Sequence, residues 1–260
     1  MAPRTVLVTG AQSGIGRATA LLLAQQGWRV GAFDLTVPDL AEAPEAAGAA
    51  VPIHCGRLDV TSTADWEQAL TELTAGTGGV LDALVNNAGV ISAGTFVEQD
   101  VDTHLRLVQV NVGGVIRGAR LAHPYLLRSP QAHLLNLASA SAMYGQPGLA
   151  VYGATKSAVK SLTEALDIEW RGTGITVTSL WPLFVRTAMV DEIKDLGTTR
   201  RLGVRLGPED VARQVHRVLS GRRRVRSPHV MVGAQTRLAA PLTRMTPYWL
   251  NRQVIGWLNR

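Results

Sequence analysis

The chain alternates short apolar runs with longer stretches of helical period. Thr5–Val8 is an apolar run ending at Gly10. A glycine-punctuated turn then leads into Arg17–Gln26, which predicts a helix closed by Gly27. Arg29–Phe33 is a second apolar run, stopped by Asp34. Strand, glycine turn, helix, strand and acid make one βαβ unit in about 30 residues. Further on, the pattern predicts a strand over Val51–Leu58 despite Pro52, a helix over Ala64–Ala75 and a short buried strand over Ala83–Val85. Val101–Leu127 keeps a helical period throughout. His133–Leu137 and Ile175–Leu180 predict strands on either side of a long helix, Val151–Trp170. A helix over Glu209–Leu219, opened by Gly207-Pro208, and a strand over His229–Val232 complete the alternation.

Strands alternating with helices predict an α/β fold, a Rossmann-type doubly wound parallel sheet in three layers. Residues 1–233 are expected to form one dinucleotide-binding and catalytic domain, and 234–260 a C-terminal helical appendage. Leu35–Ala50, rich in Ala, Pro and Glu, predicts a surface connection. In the appendage Leu250, Val254, Trp257 and Leu258 share one helical stripe flanked by arginines. Such a stripe suits a neighbouring subunit, the mouth of a pocket or a membrane surface, and a protein contact is the favoured expectation over a peripheral membrane contact.

Composition narrows the class. Hydrophobic residues are 46% of the 260, which excludes a mostly disordered chain. Charged residues are only 18%, so some apolar surface is expected to be covered by a partner subunit or by lipid. The net charge is +6, with much of the excess after Arg200, above all at Arg222, Arg223, Arg224 and Arg226. No recognition motif accompanies that cluster, so it predicts a solvated turn rather than a nucleic-acid surface. The single cysteine, Cys55, cannot form an internal disulfide. Met1-Ala2-Pro3-Arg4 leads straight into a strand, and no apolar run is long enough to span a bilayer as a helix. The expected location is the cytoplasm, and no metal site is expected.

The first turn, Thr9-Gly10-Ala11-Gln12-Ser13-Gly14-Ile15-Gly16, has the glycines that let a backbone approach a pyrophosphate. A tight turn without a ligand would look the same. Asp34 ends the second strand, where a carboxylate can accept both ribose hydroxyls of an adenosine and repel a 2′-phosphate. Leu35 stands where an arginine could welcome that phosphate, and Ser13 is neutral, so NAD(H) is expected over NADP(H). Tyr152 and Lys156 are spaced i, i+4 and share a helix face. The ammonium is expected to lower the phenol pKa toward working pH, fitting it for proton exchange with an alcohol. The chain has only three lysines, Lys156, Lys160 and Lys194, which makes the placement informative. Ser139, just past a strand, could hydrogen-bond a substrate oxygen or simply make a turn. Asn111, close to Gly113-Gly114, hints at a kink or a polar role.

Together these pieces resemble the short-chain dehydrogenase/reductase family, over roughly residues 4–233. T-G-x-x-x-G-x-G at Thr9–Gly16 is similar to the family's cofactor turn, Asp59-Val60 to the pair beside the adenine, and Asn86-Asn87-Ala88-Gly89 to its N-N-A-G. Asn111, Ser139, Tyr152 and Lys156 match its four catalytic positions, with Ser139 thirteen residues before Tyr152. The resemblance implies that Tyr152 is the general acid/base and that Ser139 polarises the substrate oxygen. It implies that Lys156 binds the nicotinamide ribose and that Asn111 holds a water linking Lys156 to a proton relay. Gly10, Gln12, Ser13, Gly14, Ile15, Gly16, Asp34, Leu35, Asp59, Val60, Asn87, Ala88, Gly89, Lys156, Pro182, Val185 and Thr187 would hold the cofactor. One departure stands out: Leu183 follows Pro182 where the family commonly has glycine. The family also pairs the helices expected at Val101–Leu127 and Val151–Trp170, implying a homo-tetramer or homo-dimer.

Ser141, Tyr144, Leu149, Leu183, Phe184 and Met189, together with Ile91, are expected at the substrate. They are largely apolar and lack a cation cluster to seize a carboxylate or phosphate. The expected function is therefore NAD(H)-dependent interconversion of a hydrophobic secondary alcohol and its ketone. The competing reading is a non-catalytic NAD-binding regulator acting through a protein partner.

Overall fold

The computed structural model describes residues 2–259 apart from 41, 42, 44, 45, 47, 48, 50, 192, 194 and 222–226. Lys194 and the arginine cluster at 222–226 lie outside the described residues, as does much of the connection after Leu35.

Seven parallel strands form one sheet: β1 (Thr5–Thr9), β2 (Arg29–Asp34), β3 (His54–Arg57), β4 (Ala83–Asn86), β5 (Ala132–Leu137), β6 (Ile175–Trp181) and β7 (His229–Met231), in the order β3-β2-β1-β4-β5-β6-β7. The helices are α1 (Gly14–Gln25), α2 (Thr63–Thr74), α3 (Val101–Val108), α4 (Gly114–Leu126), α5 (Ala150–Glu169), α6 (Ala188–Asp191), α7 (Gly197–Leu202), α8 (Pro208–Leu219), α9 (Ala234–Met245) and α10 (Tyr248–Leu258). β1 pairs with β2 through Thr9 and Phe33, and with β4 through Val8 and Val85. Gly10, Asp34 and Asn87 therefore leave the sheet along one edge. The strand order reverses between β1 and β4, and open parallel sheets take ligands at that crevice.

Period-two alternation assigns the two faces of the sheet. Val6, Val8, Val30 and Leu135 pack with Ala20 and Leu23 of α1 and Val211, Val215 and Val218 of α8. Leu7, Phe33, Leu84 and Leu134 face the other way, against Trp66 and Leu70 of α2 and Ala119 and Ala122 of α4. This is the three-layer α/β arrangement that the sequence predicts. α1 ends where Gly27 adopts φ +82°, a left-handed conformation that a side chain would strain. α2 starts at Ser62, whose Oγ accepts from the Asp65 N–H at 3.2 Å and donates to the Asp65 carboxylate at 2.7 Å.

Four features depart from the sequence pattern. β3 covers His54–Arg57 only, leaving Pro52 outside the ladder. The helical stretch from Val101 is broken by a π-helical turn at Gln109–Gly113. Leu40, in the supposed surface connection, is fully buried. The segment after Thr187 holds α6 and α7, which are too short for a period to reveal.

One core residue makes stability depend on pH. His133 on β5 is mostly buried, with Nδ1 lacking a hydrogen-bond partner among the described residues. Burial, assisted by the Arg4 charge, pushes its pKa down to about 4. The unfolded chain binds a proton that the folded chain refuses between the ordinary value of 6.5 and about 4. Stability from this group is therefore full above the ordinary value and is lost as pH falls toward about 4. Urea unfolding of His133→Leu should show a smaller acid loss than the parent, by roughly 2 kcal/mol between about pH 7 and about pH 5.

Candidate active site

The C-terminal ends of the strands open into a cavity of about 370 Å³. Its rim at β1 is built by glycines. Gly10 and Gly14 have φ +68° and +53°. A Cβ on Gly10 would lie 2.8 Å from Asn87 Nδ2, and one on Gly16 would lie 1.9 Å from the Gly10 carbonyl oxygen. Backbone thus meets backbone where α1 begins. Ser13, at the N-cap, makes no capping hydrogen bond, and no acid stands in the first turn. The dipole of α1 therefore points at the cavity without an acid in its own first turn.

Asparagine and threonine side chains hold this rim in place. The Asn87 amide donates to the Thr9 and Gly10 carbonyls at 2.9 and 3.1 Å, and the Thr9 hydroxyl accepts from the Asn87 and Ala88 N–H groups at 3.0 Å. Thr187 sits over the turn, with its Cγ2 placed 2.9 Å from where a Gly14 Cβ would be. Asp34 accepts from the N–H groups of Gln12 at 2.9 Å and Leu35 at 2.7 Å. These bonds aim the carboxylate and leave lone pairs for two hydroxyls. Arg57 is in register with Asp34 on β3, but its guanidinium is bonded to Asp65 at 2.6 Å. Trp66 donates to the Val60 carbonyl at 3.1 Å and so anchors Asp59-Val60 at the cavity wall. Turn, carboxylate and open helix end together fit a dinucleotide.

At the other end of the cavity stand Ser139, Tyr152 and Lys156, all buried. α5 carries the last two on one face, and the Lys156 ammonium lies 5.6 Å from the Tyr152 ring centroid while donating to the Leu137 carbonyl at 2.9 Å. Burial pushes the Tyr152 phenol up to about 12, and a hydrogen bond with Ser139 pulls it the other way. Burial also brings the Lys156 ammonium down to about 8. The lowering of the phenol expected from its lysine is thus not what sets its direction: desolvation of the ring does, opposed by Ser139. A phenol held protonated in this way can give a proton to an oxygen beside it.

Asn111 lies in the π-helical turn, fully behind the cavity wall. Its amide donates to the Val90 carbonyl at 2.8 Å and to Thr155 Oγ1 at 3.2 Å, and its Oδ1 accepts from the Val90 N–H at 2.8 Å. The side chain clips the chain after β4 to α5. It stays close to the reacting groups, since a Cβ on Gly89 would meet Asn111 Oδ1 at 3.1 Å and Lys156 Nζ at 3.7 Å.

Most of the residues singled out from the sequence come together here. Gly10, Ser13, Gly14, Ile15, Asp34, Leu35, Asp59, Val60, Asn87, Ala88, Gly89, Pro182, Val185 and Thr187 line the cavity, as do Ser141, Leu149, Leu183, Phe184 and Met189. Gln12 and Gly16 do not: Gln12 Oε1 accepts from the Asp39 N–H at 3.3 Å, and Gly16 is buried under Gly10. Tyr144 is also not brought in. Its ring packs on Tyr248 of α10, with centroids 6.1 Å apart. Leu183 needs no glycine-like backbone, because every positive φ among the described residues belongs to a glycine. Its side chain joins Phe184, Leu149 and Ile193 in an apolar wall.

Sequence reasoning missed Arg106 and Val110 of α3 and its following turn, and Val190 and Ile193 beyond β6. It also missed two buried polar chains that seat α5. Asn86 donates to Asn136 at 3.0 Å, and Asn136 to Thr163 at 3.1 Å. His229 lies between Ser179 and Glu164, at 2.8 Å from each. Only pairing across the sheet reveals such partners.

Comparison with known proteins agrees with this geometry. The short chain dehydrogenase family model matches residues 4–196. A 3-oxoacyl-[acyl-carrier-protein] reductase of Thermotoga maritima is 31% identical over 218 residues, covering 82% of this chain and 88% of its own. Meso-2,3-butanediol dehydrogenase of Serratia marcescens is 33% identical over 221 residues, covering 80% and 84%. The solved structure of a short-chain dehydrogenase/reductase from Burkholderia phymatum in complex with NAD superposes with a TM-score of 0.79 at 27% identity, covering 92% of both chains. With its family model matched over most of its length and its sheet, glycine turn and buried tyrosine–lysine pair in place, the chain belongs to the short-chain dehydrogenase/reductase family of oxidoreductases.

Proposed function

We propose that this oxidoreductase uses NAD(H) to interconvert a hydrophobic secondary alcohol and its ketone. The observation that carries the reading is a single cavity lined by Asp34 at one end and by Ser139, Tyr152 and Lys156 at the other. The nicotinamide cofactor, when bound, supplies the hydride chemistry. The chain supplies the rest. The Thr9–Gly16 turn and the start of α1 hold the pyrophosphate, Asp34 takes the adenosine ribose, and Asp59-Val60 flank the adenine. Lys156 takes the second ribose and keeps positive charge beside the phenol. Ser139 donates a hydrogen bond to the substrate oxygen, and Tyr152 exchanges a proton with that oxygen. Asn111 fixes the loop after β4 against α5, so that Gly89 and Lys156 keep their spacing. Pre-positioned groups of this kind act by orientation as much as by charge.

Leu149, Leu183, Phe184, Met189, Val190 and Ile193 form the substrate side, which supports an apolar substrate. Asp34, with Leu35 exposed beside it and Arg57 tied to Asp65, supports NAD(H) over NADP(H). The test is kcat/KM with both cofactors across a panel of steroid, terpenoid and aliphatic alcohols. NAD should be preferred, and Asp34→Ala with Leu35→Arg should move the preference toward NADP. A parent enzyme that favours NADP, or that binds NADH without turning over any alcohol, would overturn the reading.

The reading extends to assembly. Val101, Leu105 and Val108 form an i, i+4, i+7 stripe on α3 and are 44–65% exposed, with Ile116 on α4 and Ile168 on α5 also exposed. These faces suit contact with other copies of the chain. Light scattering at micromolar concentration should give a dimer or tetramer, and Leu105→Glu should lower the mass.

A further inference from the structure

Between 211 and 260 the chain carries ten arginines and neither aspartate nor glutamate. α9 and α10 fall in this stretch, and their inner faces are accounted for. Thr236 is buried, and the Gln235 amide donates to the Leu202 carbonyl at 3.0 Å. The Asn251 amide donates to the Thr243 and Thr246 carbonyls at 3.1 and 3.2 Å, tying the start of α10 to the end of α9. The end of α10 closes on α7, where a Cβ on Gly197 would lie 2.8 Å from the Asn259 backbone. Tyr248, Asn251, Arg252 and Ile255 line the groove over residues 142–147, whereas Leu250, Val254 and Trp257 of the stripe anticipated from the sequence do not.

The outer faces are bare. Leu238, Leu242 and Met245 follow one another at i, i+4 and i+7 along α9 and are 64–85% exposed. Trp249, Leu250, Val254 and Trp257 line the outside of α10, with Tyr248 at the bend, all at least 36% exposed. Eight large apolar side chains exposed along two successive helices call for a cover.

Charge decides which cover. Arg237 and Arg252 are exposed beside the apolar positions, and the Arg201 guanidinium sits 4.3 Å over the Trp257 ring. A second copy docking through the same face would set one arginine-bordered surface against another. An apolar stripe bordered by arginine, with tryptophan and tyrosine between, is what a helix lying in a headgroup layer presents. We infer that the α9–α10 segment docks on an anionic lipid bilayer, with its leucines, methionine and tryptophans among the acyl chains and its arginines among the lipid phosphates. The contact is peripheral, because no helix among the described residues is long and apolar enough to cross a membrane. The inference rests on surface and charge and stands apart from the choice of cofactor or substrate.

The test is co-sedimentation of the full chain with vesicles of phosphatidylcholine alone and of phosphatidylcholine with phosphatidylglycerol. Most of the protein should pellet with the anionic vesicles and little with the neutral ones. Raising salt from about 0.1 M to about 1 M shortens the Debye length from about 10 Å to about 3 Å and should release much of it. Leu242→Glu with Trp257→Glu should lower the vesicle partition at least about tenfold, with NADH binding by fluorescence reporting that the variant is folded. Parent protein that stays in the supernatant with anionic vesicles, or a doubly substituted variant that pellets like the parent, would overturn the inference. A parent assembly that the same two substitutions split, without any vesicle binding, would assign the face to a second copy instead.

Discussion

Tyr152→Phe is expected to lower kcat/KM roughly 10²–10⁴-fold, while NADH binds as in the parent. The two effects separate because the substitution removes one hydroxyl from an otherwise unchanged wall. The Tyr152 ring packs with Leu107, Leu149 and Phe184, and phenylalanine keeps those contacts. Lys156 keeps its bond to the Leu137 carbonyl, and the glycine turn is at the far end of the cavity. What disappears is the group that exchanges a proton with the substrate oxygen, and Ser139 alone cannot replace a phenol held next to an ammonium. Steady-state kinetics and NADH fluorescence titration on one preparation check both halves. Retention of more than about a tenth of the parent rate would assign the proton to another group.

Gly16→Ala should weaken NADH binding by about ten- to a hundred-fold. The added Cβ would lie 1.9 Å from the Gly10 carbonyl oxygen and 2.6 Å from Asn87 Nδ2. Neither neighbour is the far end of a flexible side chain. Gly10 is main chain at φ +68°, and the Asn87 amide is committed to the Thr9 and Gly10 carbonyls. Relief therefore requires α1 to back away from β1, which widens the phosphate turn. Forced overpacking of this kind costs about 1–3 kcal/mol, and each 1.4 kcal/mol is tenfold in Kd. Gly27→Ala is the control: Gly27 bears a positive φ, unlike Gly16, and a Cβ there meets nothing within 4 Å. It should lower the Tm and leave NADH affinity unchanged.

The sheet was legible because its strands are buried on both faces, so Thr5–Val8 and Arg29–Phe33 read as apolar runs with glycine or acid at their ends. The chemistry was legible because Tyr152 and Lys156 sit on consecutive turns of one helix. Three things were hidden for physical reasons. The sign of the Tyr152 shift depends on how completely the ring is desolvated, which spacing does not report. Tyr144 has the right type and position for a pocket, but Tyr248, about a hundred residues on, competes for its ring. The stripe through Leu250, Val254 and Trp257 is genuine, yet the polar Asn251 makes the bonds that set which side of α10 faces inward. Hydrophobicity alone points the helix the wrong way round.

The wide turn at Gln109–Gly113 divides the labour of what looks like one helix. A π-helical turn holds an extra residue, and each residue in an α-helix advances by about 100°, so the two halves are set out of phase. Leu107, before the turn, packs with Tyr152, Leu149 and Phe184 beside the substrate side of the cavity. Ala119, Ala122 and Leu126, after it, pack with Trp66 and Leu84 under the sheet. The first half answers to the pocket, and the second to the scaffold. A change at Leu107 therefore reshapes the pocket wall while Ala119, Ala122 and Leu126 keep their places in the core.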